Sequence, residues 1–367
     1  MNLRLPHTWT RPLAVLLLPC MLGLAQAQTA GTEAAPPDPA TADREPDTVF
    51  SGKTGGTFGK NLIEVLPAAR KLAVPAFRVA FVMRSSVTAQ VRGSYLPGRD
   101  NSGARASLQL DLTGVAPQTL QAITDQAYAT FLGQLRATGR EVVPADDLKE
   151  LFATLETTPN DTAKPYTKEL NGLTVTFRSP TGIPLWFAHG DPWGDRGAFD
   201  LNNWRRQGEY SQKWGAAIIT PTLVVNFANM SSSGNTSSLT SRAAEVGATV
   251  SLSVSQFSSY YVRSDEYRSG VVMKGEEAGI SMNGRIASAL PFGSYKETAA
   301  ENNAAVKSIF DTLGKAMGMA GGGGAAAGST KGVVESTDGT YSAAAQDALN
   351  RTTGTLARWF GKYPAQP

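Results

Sequence analysis

Residues 117–155, PQTLQAITDQAYATFLGQLRATGREVVPADDLKELFATL, predict a helix, a strand and a second helix in immediate succession. Apolar residues recur at intervals of three and four in the first part, at Leu120, Ile123, Ala127, Phe131 and Leu135. Gly139 is suited to end the helix that this stripe indicates. We therefore predict a helix over 117–138, a short strand over 140–144 and a capped helix over 146–155.

Strands are predicted on the N-terminal side of this stretch. The sequence FRVAFVM, at residues 77–83, is rich in β-branched and aromatic residues, and strand character continues towards Val91. Residues 107–112 alternate between polar and apolar side chains, which is the period of a strand. Strands that alternate with helices are typical of α/β proteins.

Two long strands are predicted on the C-terminal side, near 216–230 and 249–262, with a loop rich in Ser, Gly, Asn and Thr between them. The apolar phase of the second strand slips near Gln256 and Phe257, which indicates a bulge. Apolar stripes also predict helices over 298–319 and 341–360. The expected fold is α/β (or α+β), with a mixed sheet flanked by helices and a C-terminal helix.

The N-terminus has the pattern of a secretory signal peptide. Arg4 and Arg11 provide a basic start, residues 13–24 form a short apolar run, and Ala25-Gln26-Ala27 is a small-x-small cleavage site. The run is too short to be a permanent membrane span. We therefore expect cleavage near Ala27 and export to the periplasm, or beyond, of a Gram-negative-type bacterium.

Composition divides the rest of the chain into segments. After the signal peptide (1–27), residues 28–70 begin with a stretch rich in Ala, Pro, Asp and Thr, and predict a disordered tether. An α/β domain is predicted over 71–319. Residues 320–340 contain a Gly/Ala-rich run and predict a linker. The last segment, 341–367, is expected to pack its helix on the domain.

Cleavage leaves few side chains suited to catalysis. The only cysteine, Cys20, departs with the signal peptide, so the exported chain has His189 as its single imidazole and no thiol.

The exported chain is also nearly neutral. Arg4 and Arg11 belong to the 34 basic residues, so the basic residues that remain after cleavage exceed the 31 acidic residues by one. This balance gives no indication of nucleic-acid binding, which needs clustered Lys and Arg. No second apolar run is long enough for a transmembrane helix.

One cluster of side chains has the composition of a possible metal-binding or acid–base site. His189, Asp191 and Asp195 lie close together in a loop framed by Gly and Pro. An imidazole with carboxylates can bind a divalent metal or act in acid–base chemistry. A zinc site normally needs three or four ligands, however, and Asp in such loops more often forms turn hydrogen bonds. The sequence therefore assigns no catalytic, cofactor or metal residue, and these three side chains remain weak candidates.

The order of elements resembles the periplasmic α/β domains of the curli secretion lipoprotein and of the N-terminal part of the Tol–Pal propeller protein. The likeness rests on strand 78–83, on the helix ending LRATG before the strand REVV, and on the later paired strands with a terminal helix. The chain departs from the lipoprotein at Cys20, which follows Pro19 rather than a small residue. The resemblance implies a role in envelope assembly without catalysis.

Three functions follow as expectations. The first is a non-catalytic envelope binding or assembly protein, with an envelope protein or polymer as its partner and no cofactor. The second is a hydrolase or metal-dependent enzyme that uses His189 with Asp191 and Asp195. The third is a ring-forming outer-membrane secretion factor, in which 216–262 would form a membrane hairpin with alternating lipid-facing apolar residues. Composition favours binding over catalysis and leaves the oligomeric state open.

Overall fold

The helix–strand–helix succession predicted around residue 139 is present in the computed structural model. The structure describes residues 46–54, 70–91, 104–187, 193, 201–235, 243–263, 277–300, 310–312 and 328–362. All of them lie within one unit, 38–367. A positive backbone angle at Gly139, φ 81°, lets the chain leave the first helix and enter the strand directly.

Helices and strands account for most of the described residues. The helices are α1 (Pro46–Val49), α2 (Pro117–Ala137), α3 (Ala145–Phe152), α4 (Leu201–Trp214) and α5 (Asp338–Gly361). The strands are β1 (Phe50–Thr54), β2 (Lys71–Ala73), β3 (Arg78–Val91), β4 (Ala104–Thr113), β5 (Glu141–Val142), β6 (Thr167–Leu170), β7 (Leu173–Arg178), β8 (Ala217–Asn235), β9 (Ala243–Val254), β10 (Ser259–Arg263), β11 (Glu277–Met282), β12 (Ile286–Ala287), β13 (Gly293–Ala300), β14 (Phe310–Thr312) and β15 (Gly328–Ser336).

These strands join into one mixed sheet, which confirms the predicted α/β class. The main path of hydrogen-bonded neighbours is β1-β11-β10-β8-β3-β4-β15-β13. Strand β8 is central, because it runs parallel to β2 and β3, antiparallel to β10, and then continues as a hairpin with β9. Strand β15 runs parallel to β4, so the C-terminal part of the chain completes the sheet before α5 begins.

Helices cover both faces of the sheet. Alternate residues of β3 point to opposite faces. On one face, Phe77 packs on Phe131 of α2 and Phe81 packs on Tyr341 of α5, with ring centroids 5.7 and 6.5 Å apart. On the other face, Ile218 of β8 lies in a buried apolar cluster with Leu148 of α3, and Trp214 of α4 packs against that cluster. The sheet therefore lies between an α2–α5 layer and an α3–α4 layer.

The long paired strands near 216–230 and 249–262 are confirmed, with one refinement. The antiparallel register of β8 and β9 extends from Val225 and Val254 to Asn235 and Ala243. The phase slip predicted as a bulge near Gln256 is a turn, which separates β9 from β10. The bulge in this hairpin lies on β8 instead, between Asn226 and Ala228.

Other segments differ from their sequence patterns. The helix predicted over 298–319 is wrong where the chain is described, because residues 298–300 belong to β13 and residues 310–312 form β14. The helix predicted over 146–155 spans Ala145–Phe152, and Pro144 is its N-cap without a side-chain hydrogen bond. Regular hydrogen bonding to distant strands overrides the helical stripe in 298–319.

Two predicted non-domain segments contain strands. Residues 46–54, within the stretch 28–70 that predicts a tether, form α1 and β1, and every residue of β1 is paired with β11. Residues 328–336, within the stretch 320–340 that predicts a linker, form β15 between β4 and β13. The physical reason is burial, since Phe50 is 2% exposed and Val334 is fully buried.

We expect the fold to lose stability in alkaline solution. Burial raises the pKa of Tyr128 to about 12, and it also raises the pKa values of Tyr260 and Tyr341 above the usual value of a tyrosine. The folded chain therefore holds these protons more tightly than the unfolded chain, whose tyrosines titrate near pH 10. Stability should be fully retained below about pH 10 and should then fall by up to about 1.4 kcal/mol per pH unit for each tyrosine.

Urea unfolding between about pH 8 and pH 11 measures this loss. The Tyr128→Phe variant removes one of the three groups, so its stability should decline less steeply than that of the wild type. A stability that stays constant across this range would contradict the raised pKa values.

Candidate functional site

The predicted loop candidates His189, Asp191 and Asp195 lie outside the described residues. Trp193, within the same loop, is described, and its backbone oxygen accepts a 2.9 Å hydrogen bond from the Tyr166 hydroxyl. The Trp193 ring packs against Phe177, with 5.5 Å between centroids.

Phe187, on the N-terminal side of the loop, belongs to the same aromatic cluster. Its ring centroid lies 5.3 Å from that of Tyr166 and 5.4 Å from that of Phe177. Phe187 and Trp193 are both buried. Two residues that bracket His189 and Asp191 in sequence are thus fixed in the protein interior.

A buried arginine lies beside this aromatic cluster. Arg78, the first residue of β3, has no exposed surface. Its Nη1 donates to the Trp186 carbonyl oxygen at 2.6 Å, and its Nε donates to Thr222 Oγ1 at 2.9 Å. The guanidinium carbon lies 5.9 Å from the Trp186 ring centroid and 5.3 Å from that of Phe187, within cation–π range. Arg78 therefore connects the central sheet to the chain that enters the loop.

Helix α4 presents polar side chains to the interior. Asn203, Gln207 and Ser211 are spaced by four residues, so they share one face of the helix, and all three are buried. Asn203 accepts from the Glu156 backbone N–H at 2.8 Å and donates to its carbonyl oxygen at 3.0 Å. The Ser211 hydroxyl donates to the Ala216 carbonyl oxygen at 2.7 Å. These bonds attach both ends of the polar face to neighbouring loops.

Strands β8 and β10, which contact α4, carry hydroxyl side chains beneath this helix. Helix α4 packs against β8 and β10. Thr222 is paired with Ser259 across these two strands, and Thr220 lies two residues earlier on the same face of β8. We call the set Asn203, Gln207, Ser211, Thr220, Thr222 and Ser259 the buried polar layer.

Three atoms of the buried polar layer have no hydrogen-bond partner in the described structure: Gln207 Nε2, Thr220 Oγ1 and Ser259 Oγ. Most buried polar groups in folded proteins are paired. The layer thus offers an amide donor and two hydroxyl groups, with the Arg78 guanidinium bonded to one of its members, Thr222. Phe187 connects the layer with the predicted loop, because Asn203 Nδ2 donates to the Phe187 carbonyl oxygen.

The β8–β9 hairpin forms a second surface with functional potential. On its inner face, Val246, Ala248 and Val250 are buried in the main core, and β9 packs against β4. On its outer face, Asn229 and Ser231 are exposed and are paired with Thr249 and Gly247, respectively. The outer face therefore presents amide and hydroxyl groups at Asn229, Ser231 and Thr249. Glu245, paired with Ser233, is the next residue of β9 on the same face.

The described ranges contain neither a cluster of metal-binding side chains nor a helix able to span a membrane. No group of three or more His, Cys, Asp or Glu residues that could hold a metal ion is found there. No helix in the same part of the chain has the length and hydropathy needed to cross a membrane.

Sequence reasoning missed Arg78 and the buried polar layer as functional candidates. A signal for Arg78 exists, because a cation stands inside the apolar run FRVAFVM of a central strand. Four-residue spacing of Asn203, Gln207 and Ser211 is also visible, but polar residues at that spacing are usually taken for a solvated face. Only the position of α4 over β8 and β10 shows that this face is buried.

Comparison of the chain with protein-family models, with curated proteins and with solved structures found no match.

Proposed function

We propose that the chain is an exported, non-catalytic binding or assembly protein of the cell envelope of a Gram-negative-type bacterium. The observation that carries the proposal is the stretch of amide and hydroxyl groups on the outer face of the β8–β9 hairpin, at Asn229, Ser231 and Thr249. Its backbone is fixed by antiparallel pairing and by the burial of its inner face against β4. The N-terminal signal pattern and the scarcity of imidazole and thiol groups support the exported address and the non-catalytic role.

This stretch of the outer face suits a polar contact, made through groups without formal charge, with an envelope protein or polymer. Amide and hydroxyl groups recognise partners through hydrogen bonds and leave no charge to be desolvated. Asn229 and Ser231 are both exposed and lie two residues apart on this face. A charge placed at either residue would have to be buried without a partner when the complex forms.

The Ser231→Glu variant should therefore lose the capture of its envelope partner. We expect at least about a tenfold weaker capture, because an unpaired charge buried in an interface costs more than about 1.4 kcal/mol. The measurement is chemical cross-linking of purified mature protein to an envelope fraction, followed by quantification of the captured species.

The matched control is Thr88→Glu, which places the same charge on an exposed position of β3. Its capture should equal that of the wild type. Equal capture by Ser231→Glu and wild type would remove the hairpin from the proposal. Turnover of glycans, peptides or esters by the mature protein, abolished by His189→Ala, would replace the proposal with an enzymatic function.

A further inference from the structure

The sequence contains two Asn-Gly pairs, Asn171-Gly172 and Asn283-Gly284, and both asparagines are exposed. Asparagine deamidates most readily before glycine, because no Cβ atom shields the glycine N–H and the glycine backbone turns freely. The reaction begins when the glycine nitrogen reaches the side-chain carbon Cγ of the asparagine. The backbone geometry of each pair therefore decides whether the reaction can start.

The first pair is held rigidly in the turn between β6 and β7. Asn171 and Gly172 have positive φ angles, 52° and 78°, and the flanking residues Leu170 and Leu173 are paired with each other. The Gly172 carbonyl oxygen accepts from the Ser86 backbone N–H at 2.8 Å and from the Ser86 hydroxyl at 3.0 Å. Rotation of the backbone that brings Gly172 N to Asn171 Cγ would have to break these contacts.

The second pair joins two strands that have different partners. Residues 283–285 connect β11, which pairs with β1 and β10, to β12, which pairs with β9. Neither Asn283 nor Gly284 adopts a positive φ angle. A Cβ atom added at Gly284 would meet no heavy atom within 4 Å, whereas one added at Gly172 would lie 2.5 Å from the Ser86 carbonyl oxygen. Gly284 therefore has more freedom than Gly172 to rotate towards the preceding side chain.

The side-chain amide of Asn283 is polarised by a hydroxyl group of β1. The Ser51 hydroxyl donates to Asn283 Oδ1 at 2.9 Å, and the Ser51 and Ser281 hydroxyl oxygens lie 3.1 Å apart. A donor on Oδ1 withdraws electron density from Cγ. It also stabilises the negative charge that develops on Oδ1 when a nucleophile attacks Cγ. Ser51 is thus placed to favour the attack by the Gly284 nitrogen.

We propose that Asn283 is a site of spontaneous deamidation and that Ser51 activates its amide. The Gly284 nitrogen forms a bond to Asn283 Cγ, and the proton of this nitrogen passes through water to Nδ2. The bond between Cγ and Nδ2 then breaks, ammonia leaves, and a succinimide ring remains. Water opens the ring at either of its two carbonyl carbons, which gives aspartate or isoaspartate at residue 283.

The isoaspartate product changes the attachment of β1. In the unmodified chain, the Asn283 backbone N–H donates to the Val49 carbonyl oxygen at 2.8 Å, and the preceding residue, Met282, is paired with Phe50. In isoaspartate, Cγ becomes part of the main chain, so the backbone gains one methylene group and Ser51 loses its side-chain acceptor. We therefore expect β12 to shift relative to β11 and β1 to be held less firmly. This inference is independent of the contact proposed for the β8–β9 hairpin.

The test is incubation of the full mature chain at mildly alkaline pH, followed by peptide mapping with mass spectrometry. The peptide that contains Asn283 should gain the mass that accompanies replacement of an amide by a carboxyl group. This gain should be at least about tenfold faster than that of the peptide that contains Asn171, which corresponds to a modest difference in activation barrier. In guanidinium chloride both pairs lose their folded geometry, so the two rates should become similar.

Variants separate the role of Ser51 from that of the Asn-Gly sequence. Ser51→Ala removes the donor and should slow the reaction at Asn283 at least about threefold, whereas Ser51→Thr retains a hydroxyl group and should react like the wild type. Asn283→Gln has a longer side chain that does not form the five-membered ring, so its peptide should show no mass gain. The urea midpoint of the wild type should fall during incubation, and that of Asn283→Gln should stay constant.

Equal rates at Asn283 and Asn171 in the folded chain, or a faster reaction at Asn171, would overturn the inference. An unchanged or faster reaction in Ser51→Ala would show that Ser51 does not activate the amide. A wild-type urea midpoint that stays constant after Asn283 has reacted would contradict the loosening of β1.

Discussion

Replacement of Phe50 by alanine should lower the free energy of unfolding by about 3–5 kcal/mol, the usual cost of removing a fully buried phenylalanine. Phe50 is 2% exposed, although it lies in a stretch whose composition predicts a tether. Its ring packs edge-on against Tyr260 at 5.7 Å and stacks on Trp359 of α5 at 6.0 Å. Its loss would leave a cavity between the edge of the sheet and the C-terminal helix.

Strand β1 is also held by its backbone pairing with β11 and by polar contacts, which include a 3.1 Å hydrogen bond between the Ser51 and Ser281 hydroxyls. The Ser51 hydroxyl donates to Asn283 Oδ1 at 2.9 Å, and Asn283 N–H donates to the Val49 carbonyl oxygen at 2.8 Å. An individual hydrogen bond of this kind contributes about 1 kcal/mol. Loss of the buried Phe50 ring should therefore weaken the attachment of β1 to the sheet more than loss of any one of these hydrogen bonds.

Urea unfolding of the mature chain measures the effect, and Phe257→Ala is its matched control. Phe257 is the same residue type, but it is 44% exposed in the turn between β9 and β10. Its replacement should change the free energy of unfolding by less than about 0.5 kcal/mol. If Phe50→Ala were as mild as Phe257→Ala, residues 46–54 would behave as the tether that their composition predicts.

The example of Phe50 shows which parts of the fold a sequence can predict. Helix α2 was expected over 117–138 and spans Pro117–Ala137, because its apolar stripe and its terminal glycine are local signals. Strands β1 and β15 depend on partners far away in the chain, since β1 pairs with β11 and β15 pairs with β4. No local pattern in a short polar strand reveals such a partner.

The β6–β7 hairpin was not predicted, although its turn has a recognisable local sequence. Asn171 and Gly172 both adopt positive φ angles, 52° and 78°, and connect β6 and β7 in a two-residue hairpin. Asn-Gly is the preferred pair for such a turn, so the hairpin could have been predicted from the sequence. At Gly172 an added Cβ would lie 2.5 Å from the Ser86 carbonyl oxygen, which adds a tertiary requirement that the sequence does not show.

The candidate sites were less predictable than the fold. The sequence points to His189, Asp191 and Asp195 because an imidazole lies close to two carboxylates there, yet these residues fall outside the described residues. The buried polar layer arises from residues on α4, β8 and β10 that are ordinary in their own segments. Their importance follows from tertiary packing, which places an amide-bearing helix face over hydroxyl-bearing strands.

Replacement of Arg78 by methionine should destabilise the fold by about 3 kcal/mol. Methionine retains much of the apolar volume against Trp186 and Phe187 but removes the hydrogen bonds of the guanidinium to the Trp186 carbonyl oxygen and to Thr222. The Trp186 carbonyl oxygen would then be buried without this donor, and a buried polar group left unpaired costs about 1–3 kcal/mol. Loss of charge-assisted bonds and of the cation–π contacts adds to that cost.

Arg84→Met is the matched control, because Arg84 lies on the same strand and its side chain is 48% exposed. Its partner Asp111 is 2.5 Å away, but a surface ion pair contributes only about 0–1 kcal/mol. Urea unfolding gives the two free energies, and tryptophan fluorescence reports whether Trp186 has moved. A buried cation can sometimes be replaced by an apolar side chain at no cost. Equal stability of Arg78→Met and Arg84→Met would therefore mean that the hydrogen bonds of Arg78 only offset the cost of desolvating its charge. Arg78 would then not be the residue that holds Trp186, at the start of the loop, to the sheet.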